Sequence, residues 1–118
     1  MEEMYAEDAL FDVSAVFTDV APMRGKENIR RYWHELRETW AGLRLDPVEV
    51  LDAGNGHYVA DLRLWGKGRR SGAEVEQRYA LLYNIRPEDL KATHIRMLPD
   101  VAAAISEAES SVSSAERQ

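Results

Sequence analysis

Four segments with a two-residue apolar period follow one another in the second half of the chain, and short turns join them. The segments are residues 43–54, 57–68, 73–86 and 91–98. The first turn carries Asn55 and Gly56, which readily take the positive φ of a tight hairpin. Successive strands with such short connections predict an antiparallel meander. Together with the earlier apolar run at residues 9–17, the pattern predicts a curved sheet of about five strands.

A helix is predicted ahead of the meander, from residue 25 onward. Apolar residues recur there on a 3.6-residue period, at Ile29, Tyr32, Trp33, Leu36 and Trp40. Gly42 follows the last of them, so the helix is expected to end near residue 41. Trp33 and Trp40 are predicted to be core residues, and Tyr32 and Trp33 lie toward the edge of the stripe, where they would border a cavity. A helix that covers one face of a curved sheet gives an α+β arrangement.

Composition limits the number of domains and the kinds of partner that the chain can have. The chain has 118 residues, 45% of them hydrophobic, which is enough for one compact domain. We assign that domain to residues 1–106 and predict a disordered tail at residues 107–118, where small, polar and charged residues dominate. A formal charge of −6 disfavours nucleic acid as a partner. The sequence holds no cysteine and no metal-binding motif, so no metal and no cofactor are expected.

The location of the protein is predicted from the absence of targeting signals. No apolar run is long enough to cross a membrane, so no membrane partner is expected. The acidic opening MEEMYAED is unlike a signal peptide, which has a basic start and an apolar middle. A cytoplasmic protein is therefore expected.

The order of these segments resembles a known family. The stretches YAEDALFD, MRGKENIRRYWHELRETW, the long hairpin that turns at GKGRRSG, and HIRMLPDVAAAIS resemble the SnoaL-like branch of the nuclear transport factor 2-like (NTF2-like) superfamily. The resemblance implies a cone, in which a bent antiparallel sheet wraps against helices around one deep apolar pocket. Members of the family usually carry a long helix ahead of YAEDALFD, and most of that helix is missing here. We expect the native start to lie upstream of Met1; the alternative is a pocket that is open on one side and needs a partner to close it.

Candidate catalytic residues lie on the second strand of the meander. Strict alternation places Val59, Asp61, Arg63 and Trp65 on one face of that strand. Similarity to the epoxide hydrolase members, which hold an Arg and an Asp two residues apart there, suggests that Asp61 and Arg63 point into the pocket, with Asp61 as a base. Arg63 and Trp65, on the same face, would then contact the ligand. The alternative is a surface ion pair of little energetic value, because the opposite face, with Ala60, Leu62 and Leu64, is more apolar.

Candidate ligand-binding residues lie on the next two strands. On the third strand of the meander, one face carries apolar rings and polar groups that suit a pocket wall, namely Val75, Gln77, Tyr79, Leu81 and Tyr83. The alternative is an ordinary core with tyrosine hydroxyls that reach water. In the family register, Ile95 and Met97 of the closing strand face inward. Met97 then stands where the epoxide hydrolase members place a carboxylate, and methionine cannot accept a proton, so epoxide hydrolysis is not expected.

Two classes of function fit these patterns. The first is a small-molecule enzyme of the cyclase, isomerase or hydrolase kind that acts on an apolar metabolite. The second is a non-catalytic ligand-binding or dimerisation module of the same fold. The expected partners are a small apolar molecule and a second copy of the chain. The predicted dimer interface is the outer face of the sheet, which carries Arg78, Ala80, Leu82, His94, Arg96 and Leu98.

Overall fold

The structure is a computed structural model that describes residues 4–116, with side chains described through residue 110. Its elements in chain order are β1 (Tyr5–Asp12), β2 (Met23–Arg24), α1 (Lys26–Thr39), β3 (Trp40–Gly54), β4 (His57–Gly68), β5 (Glu74–Arg86), β6 (Lys91–Leu98) and α2 (Val101–Glu116). Within the described residues, no helix is long and apolar enough to cross a membrane.

The strands form one curved, open sheet in the order β2-β1-β6-β5-β4-β3. The predicted antiparallel meander is confirmed from β3 to β6, and Asn55 and Gly56 take positive φ in the first turn. The sheet differs from the prediction in two respects. It has six strands, and β1 runs parallel to β6, with Phe11 beside Ile95. The sheet is therefore mixed. The parallel pairing is possible because α1 and the whole meander connect these two strands along the chain.

Helix α1 ends earlier than its apolar stripe predicts. Thr39 is its last residue, and Trp40 is extended as the first residue of β3, so the prediction that Trp40 belongs to the helix is wrong. The guanidinium of Arg69 donates hydrogen bonds to the carbonyls of Glu38 and Arg37, at 2.7 and 3.0 Å, and so satisfies acceptors that the helix end leaves open. The half-buried Trp40 indole packs over Gly66 of β4, which has no side chain to obstruct it.

The two faces of the sheet are covered by different helices. Helix α1 covers one face, above a core that includes Phe11, Ile29, Leu62, Leu81, Ile95 and Met97. Helix α2 covers the other face, where the buried residues are Val59, Ala80, Leu82, Leu98, Ala104 and Ala108. The α+β architecture predicted from the sequence is thus confirmed.

Helix α2 is longer than predicted and covers part of the predicted dimer interface. It continues to Glu116, and Ala108 is buried, where the sequence predicted a tail from residue 107; residues 117–118 lie outside the described part. It also buries Ala80, Leu82 and Leu98, so these three cannot form the predicted dimer interface while the helix stays in place. The homodimer itself stays a prediction.

A charged cluster attaches α2 to the sheet. The Arg96 Nε lies 2.7 Å from Glu107 Oε2 without an aligned N–H, so this contact is an ion pair and not a hydrogen bond. The same guanidinium lies 3.5 Å from Asp12 Oδ2. Burial opposes ionisation of Asp12, but hydrogen bonds from Ser14 and the charge of Arg96 outweigh it and lower the pKa of that carboxyl. Burial, and next the charge of Arg96, lower the pKa of the adjacent His94.

Mild acid is expected to destabilise the fold through His94. The pKa of this imidazole lies below its usual value of 6.5 in the folded state, so the unfolded chain binds a proton first as pH falls. Stability from this group is therefore present above the unfolded pKa and is lost as pH falls from that value through the lower folded pKa. Urea unfolding at about pH 7.5 and about pH 5.5 should show the loss, and His94→Gln should reduce it.

The matched control for this prediction is His34→Gln. His34 is exposed on α1, where it forms an ion pair with Glu38, which lies one helical turn away. This variant should keep the pH dependence of the parent. An unchanged pH dependence in His94→Gln would contradict the assignment.

Candidate functional site

A recess between α1 and the sheet forms a cavity of about 410 Å³, which we call the apolar cavity. Its lining residues are Met4, Tyr5, Trp33, Leu45, Pro47, Val50, Tyr58, Ala60, Leu62, Leu81, Tyr83 and Ile85. The floor follows from strand alternation, because Ala60 and Leu62 of β4 share one face and Ala60 is paired with Leu81 of β5. None of these lining residues carries a charged side chain.

The edge strand β3 closes one side of the apolar cavity by means of an irregular register. Pro47 pairs with Leu62 and Val50 pairs with Ala60, so β3 holds one residue more than β4 between these pairs. Such a bulge keeps Pro47 and Val50 on the cavity side, although they are three residues apart. Proline is tolerated here because its missing N–H costs no ladder bond at a sheet edge. Val48, the extra residue, is exposed and does not line the cavity.

Only part of the predicted ligand-binding set lines the apolar cavity. Trp33 and Tyr83 do. Ile95 and Met97 are buried in the same apolar layer beneath the cavity, without lining it. The remaining members of the predicted set on this side of the sheet are Tyr32, whose ring lies 6.3 Å from that of Phe11, Tyr79, whose ring lies 6.1 Å from that of Phe17, and the exposed Gln77.

The prediction that Asp61, Arg63 and Trp65 point into the pocket is wrong. Asp61 forms an ion pair with Arg78 of β5, and Arg63 Nε lies 3.2 Å from Glu76 Oε1. The Trp65 ring lies beneath the Arg44 guanidinium, at 4.9 Å. The physical reason is the alternation itself, because the more apolar face of β4 turns toward α1 and leaves the charged face outside. The surface ion pair weighed against catalysis is what the structure shows.

Several lining residues were missed in the sequence, and the register explains how they could have been found. Leu45 pairs with Leu64, and Pro47 with Leu62, so each lies beside the apolar face of β4. If that face of β4 is taken as the inner one, the strand pairing places Leu45 and Pro47 on the cavity side as well. Tyr5 gives no comparable signal, because its place depends on the parallel pairing of β1 with β6, which joins distant parts of the chain.

The polar groups of the apolar cavity are phenols and an indole. Burial, and next the neighbouring Tyr5, raise the pKa of Tyr83 well above its usual value, so its hydroxyl stays protonated and can donate a hydrogen bond. The indole Nε1 of Trp33 is buried and has no acceptor among the described residues. A buried N–H without a partner costs about 1–3 kcal/mol. The Tyr83 hydroxyl therefore favours an occupant that accepts a hydrogen bond.

A second recess of about 480 Å³ adjoins the apolar cavity along α1. We call it the basic basin, and its lining residues are Tyr5, Lys26, Glu27, Ile29, Arg30, Arg31, Trp33, His34, Arg37 and Leu45. Tyr5, Trp33 and Leu45 line both recesses and so form their common boundary. In the part of the chain that the structure describes, no cluster of His, Cys, Asp and Glu could hold a metal ion.

Comparison with known proteins identifies the family. The sequence profile of the SnoaL-like domain matches residues 1–95, which is most of the chain. The chain belongs to the SnoaL-like domain family. No curated protein matches the sequence significantly.

Solved structures share the fold of this SnoaL-like chain. An NTF2-like protein from Burkholderia thailandensis is 26% identical, with a TM-score of 0.74 over 89% of this chain and 82% of that one. A protein with a ketosteroid isomerase-like fold from Catenulispora acidiphila, in complex with trimethylamine, is 13% identical, with a TM-score of 0.72 over 92% and 78%. A putative SnoaL-like polyketide cyclase from Shewanella denitrificans is 15% identical, with a TM-score of 0.64 over 93% and 82%.

Proposed function

We propose that this SnoaL-like chain binds a small apolar molecule in the apolar cavity. The observation that carries the proposal is a recess of about 410 Å³ whose lining, among the described residues, has no charged side chain, in a chain with a net charge of −6. Ligand sites in proteins typically enclose about 300–1,000 Å³ and combine apolar walls with a few polar groups. The cavity of this chain has that size and that composition.

The polar groups narrow the class of ligand. The neutral Tyr83 hydroxyl can donate one hydrogen bond. A ligand with a carbonyl, ether or hydroxyl oxygen would satisfy this donor. The rings of Trp33, Tyr58 and Tyr83 also suit contact with a flat aromatic body. We therefore propose an aromatic or polycyclic molecule with at least one acceptor oxygen.

A binding role has more support than catalysis by Asp61. The Asp61 carboxylate pairs with Arg78 on the sheet face that lies away from the apolar cavity. A general base must come within hydrogen-bond reach of the proton that it removes, and Asp61 is separated from the cavity by its own strand. Some members of the family are described as putative cyclases, and that description applies to those proteins.

The neutral dye N-phenylnaphthylamine, which fluoresces strongly in apolar surroundings, tests the proposal. Val50 and Val48 are both exposed on β3, but only Val50 lines the apolar cavity. Val50→Arg should weaken dye binding about tenfold or more, because it brings a charge to an apolar wall. Val48→Arg, the matched control, should change the dissociation constant by less than about twofold. Equal losses in both variants, or no saturable binding by the parent, would refute the proposal.

A further inference from the structure

The apolar cavity and the basic basin together form one amphipathic recess. Their common boundary consists of Tyr5, Trp33 and Leu45, so a molecule that fills the cavity beside these side chains also reaches the edge of the basin. The two parts differ sharply in chemistry. The described residues that line the cavity carry no charge, whereas those that line the basin include four cationic side chains and one carboxylate.

The spacing of residues along α1 accounts for this arrangement. Lys26, Arg30, Trp33 and Arg37 lie at positions i, i+4, i+7 and i+11, so they form one stripe along the helix. Trp33, which borders the cavity, is therefore on the same side of α1 as Lys26, Arg30 and Arg37, which line the basin. Arg31 lies outside this stripe, about 100° around the helix from Arg30, and also lines the basin.

Nearby carboxylates compensate only part of the positive charge. Lys26 Nζ lies 3.3 Å from Glu7 Oε1, and Arg30 lies 3.4 Å from Glu27 Oε1. Among the described residues, no carboxylate comes within ion-pair distance of Arg31 or Arg37. A chain of net charge −6 thus concentrates uncompensated cations beside its apolar cavity. Such a local field attracts anions.

We propose that the ligand is an amphipathic monoanion, with an apolar ring body in the apolar cavity and a carboxylate-like group in the basic basin. Arg37, which lies on the same stripe as Trp33, binds that group, since a guanidinium pairs with a planar carboxylate through two parallel hydrogen bonds. Arg31 adds to the positive charge of the basin. The inference rests on the proposed function, because it assigns the ring body to the same cavity. It adds a charge requirement that the cavity alone does not impose.

Two dyes with the same ring skeleton test the charge requirement. Anilinonaphthalene sulfonate is N-phenylnaphthylamine with an added sulfonate, so the ratio of their dissociation constants isolates the effect of the anion. The parent protein should bind the sulfonate dye about tenfold more tightly than the neutral dye. The preference should shrink at high salt, because exposed charges are screened.

A double variant separates the basin from the general charge of the protein. Arg31→Gln with Arg37→Gln should abolish the preference for the sulfonate dye and leave binding of the neutral dye unchanged. The control, Lys67→Gln with Arg70→Gln, removes the same charge from exposed positions that line neither recess, and it should keep the preference. Melting temperatures of both variants establish that they are folded.

The outcomes distinguish this inference from the proposed function. Equal affinity of the parent for both dyes would overturn the charge requirement and leave the apolar cavity as a binding site. Equal weakening of both dyes by the Arg31 and Arg37 changes would likewise overturn it. Failure of the parent to bind either dye would refute the proposed function and this inference together.

Discussion

Replacement of Phe11 by alanine is expected to lower the free energy of unfolding by about 3–5 kcal/mol. Phe11 is fully buried in β1, and its ring lies 5.6 Å from that of Trp33 in an edge-to-face contact. It also lies 6.3 Å from the Tyr32 ring, so one side chain joins β1 to α1. Truncation removes that apolar contact and leaves a void in a closely packed layer. The loss is a large fraction of the stability of a small domain, which is about 5–15 kcal/mol.

Urea unfolding of the parent and of Phe11→Ala measures this loss. Phe17→Ala is the matched control, because Phe17 likewise makes an aromatic contact, with the Tyr79 ring, but is 36% exposed. It should cost less than about 1 kcal/mol, as is usual for surface substitutions. Equal midpoints for the parent and Phe11→Ala would contradict the assignment of Phe11 to the centre of the core.

The sequence predicted the elements whose pattern is local. Alternation and turn residues define β3 to β6, because strand faces and hairpin turns depend on neighbours a few residues apart. The 3.6-residue stripe likewise predicts α1 and the packing of Trp33 against the core. In each case the physical cause acts within one turn or one strand.

Features that depend on distant parts of the chain could not be predicted in this way. The end of α1 is set in part by Arg69, which lies about 30 residues further along and binds the last carbonyls of the helix. The parallel pairing of β1 with β6 joins Phe11 to Ile95 across most of the fold. The extension of α2 past residue 106 reflects burial of Ala108 against the sheet. Local composition carries none of this information.

The candidate site also combines features that local patterning predicts with features that it does not predict. Patterning alone favoured Ala60 and Leu62 as the inner face of β4, and the structure agrees. The family resemblance favoured Asp61 and Arg63, which face outward as ion pairs. A resemblance transfers a residue type to a position, but the direction of a side chain follows from the register of this particular strand. The bulge near Val48 that shapes the cavity has no clear signal in the sequence.

Filling the apolar cavity from its floor is expected to abolish ligand binding while the fold persists. Ala60 is 5% exposed and lines the cavity, so the ring of Ala60→Phe would occupy space that the ligand needs. We expect the affinity for the neutral dye to fall at least about 30-fold, or about 2 kcal/mol. The cost in stability should stay below about 3 kcal/mol, since overpacking is mildest where empty space exists. Ala102→Phe, at an exposed position of α2, adds the same ring and should leave binding unchanged.

Nuclear magnetic resonance of the indole N–H groups tests the central claim most directly. The chain has three tryptophans, of which Trp33 lines the apolar cavity and Trp65 lies beneath Arg44 on the other face. Addition of naphthol, a soluble and uncharged ring compound, should shift the Trp33 indole resonance and leave that of Trp65 in place. In Ala60→Phe the Trp33 shift should disappear. A shift at Trp65 instead of Trp33, or an undiminished Trp33 shift in the variant, would contradict a ligand site in the apolar cavity.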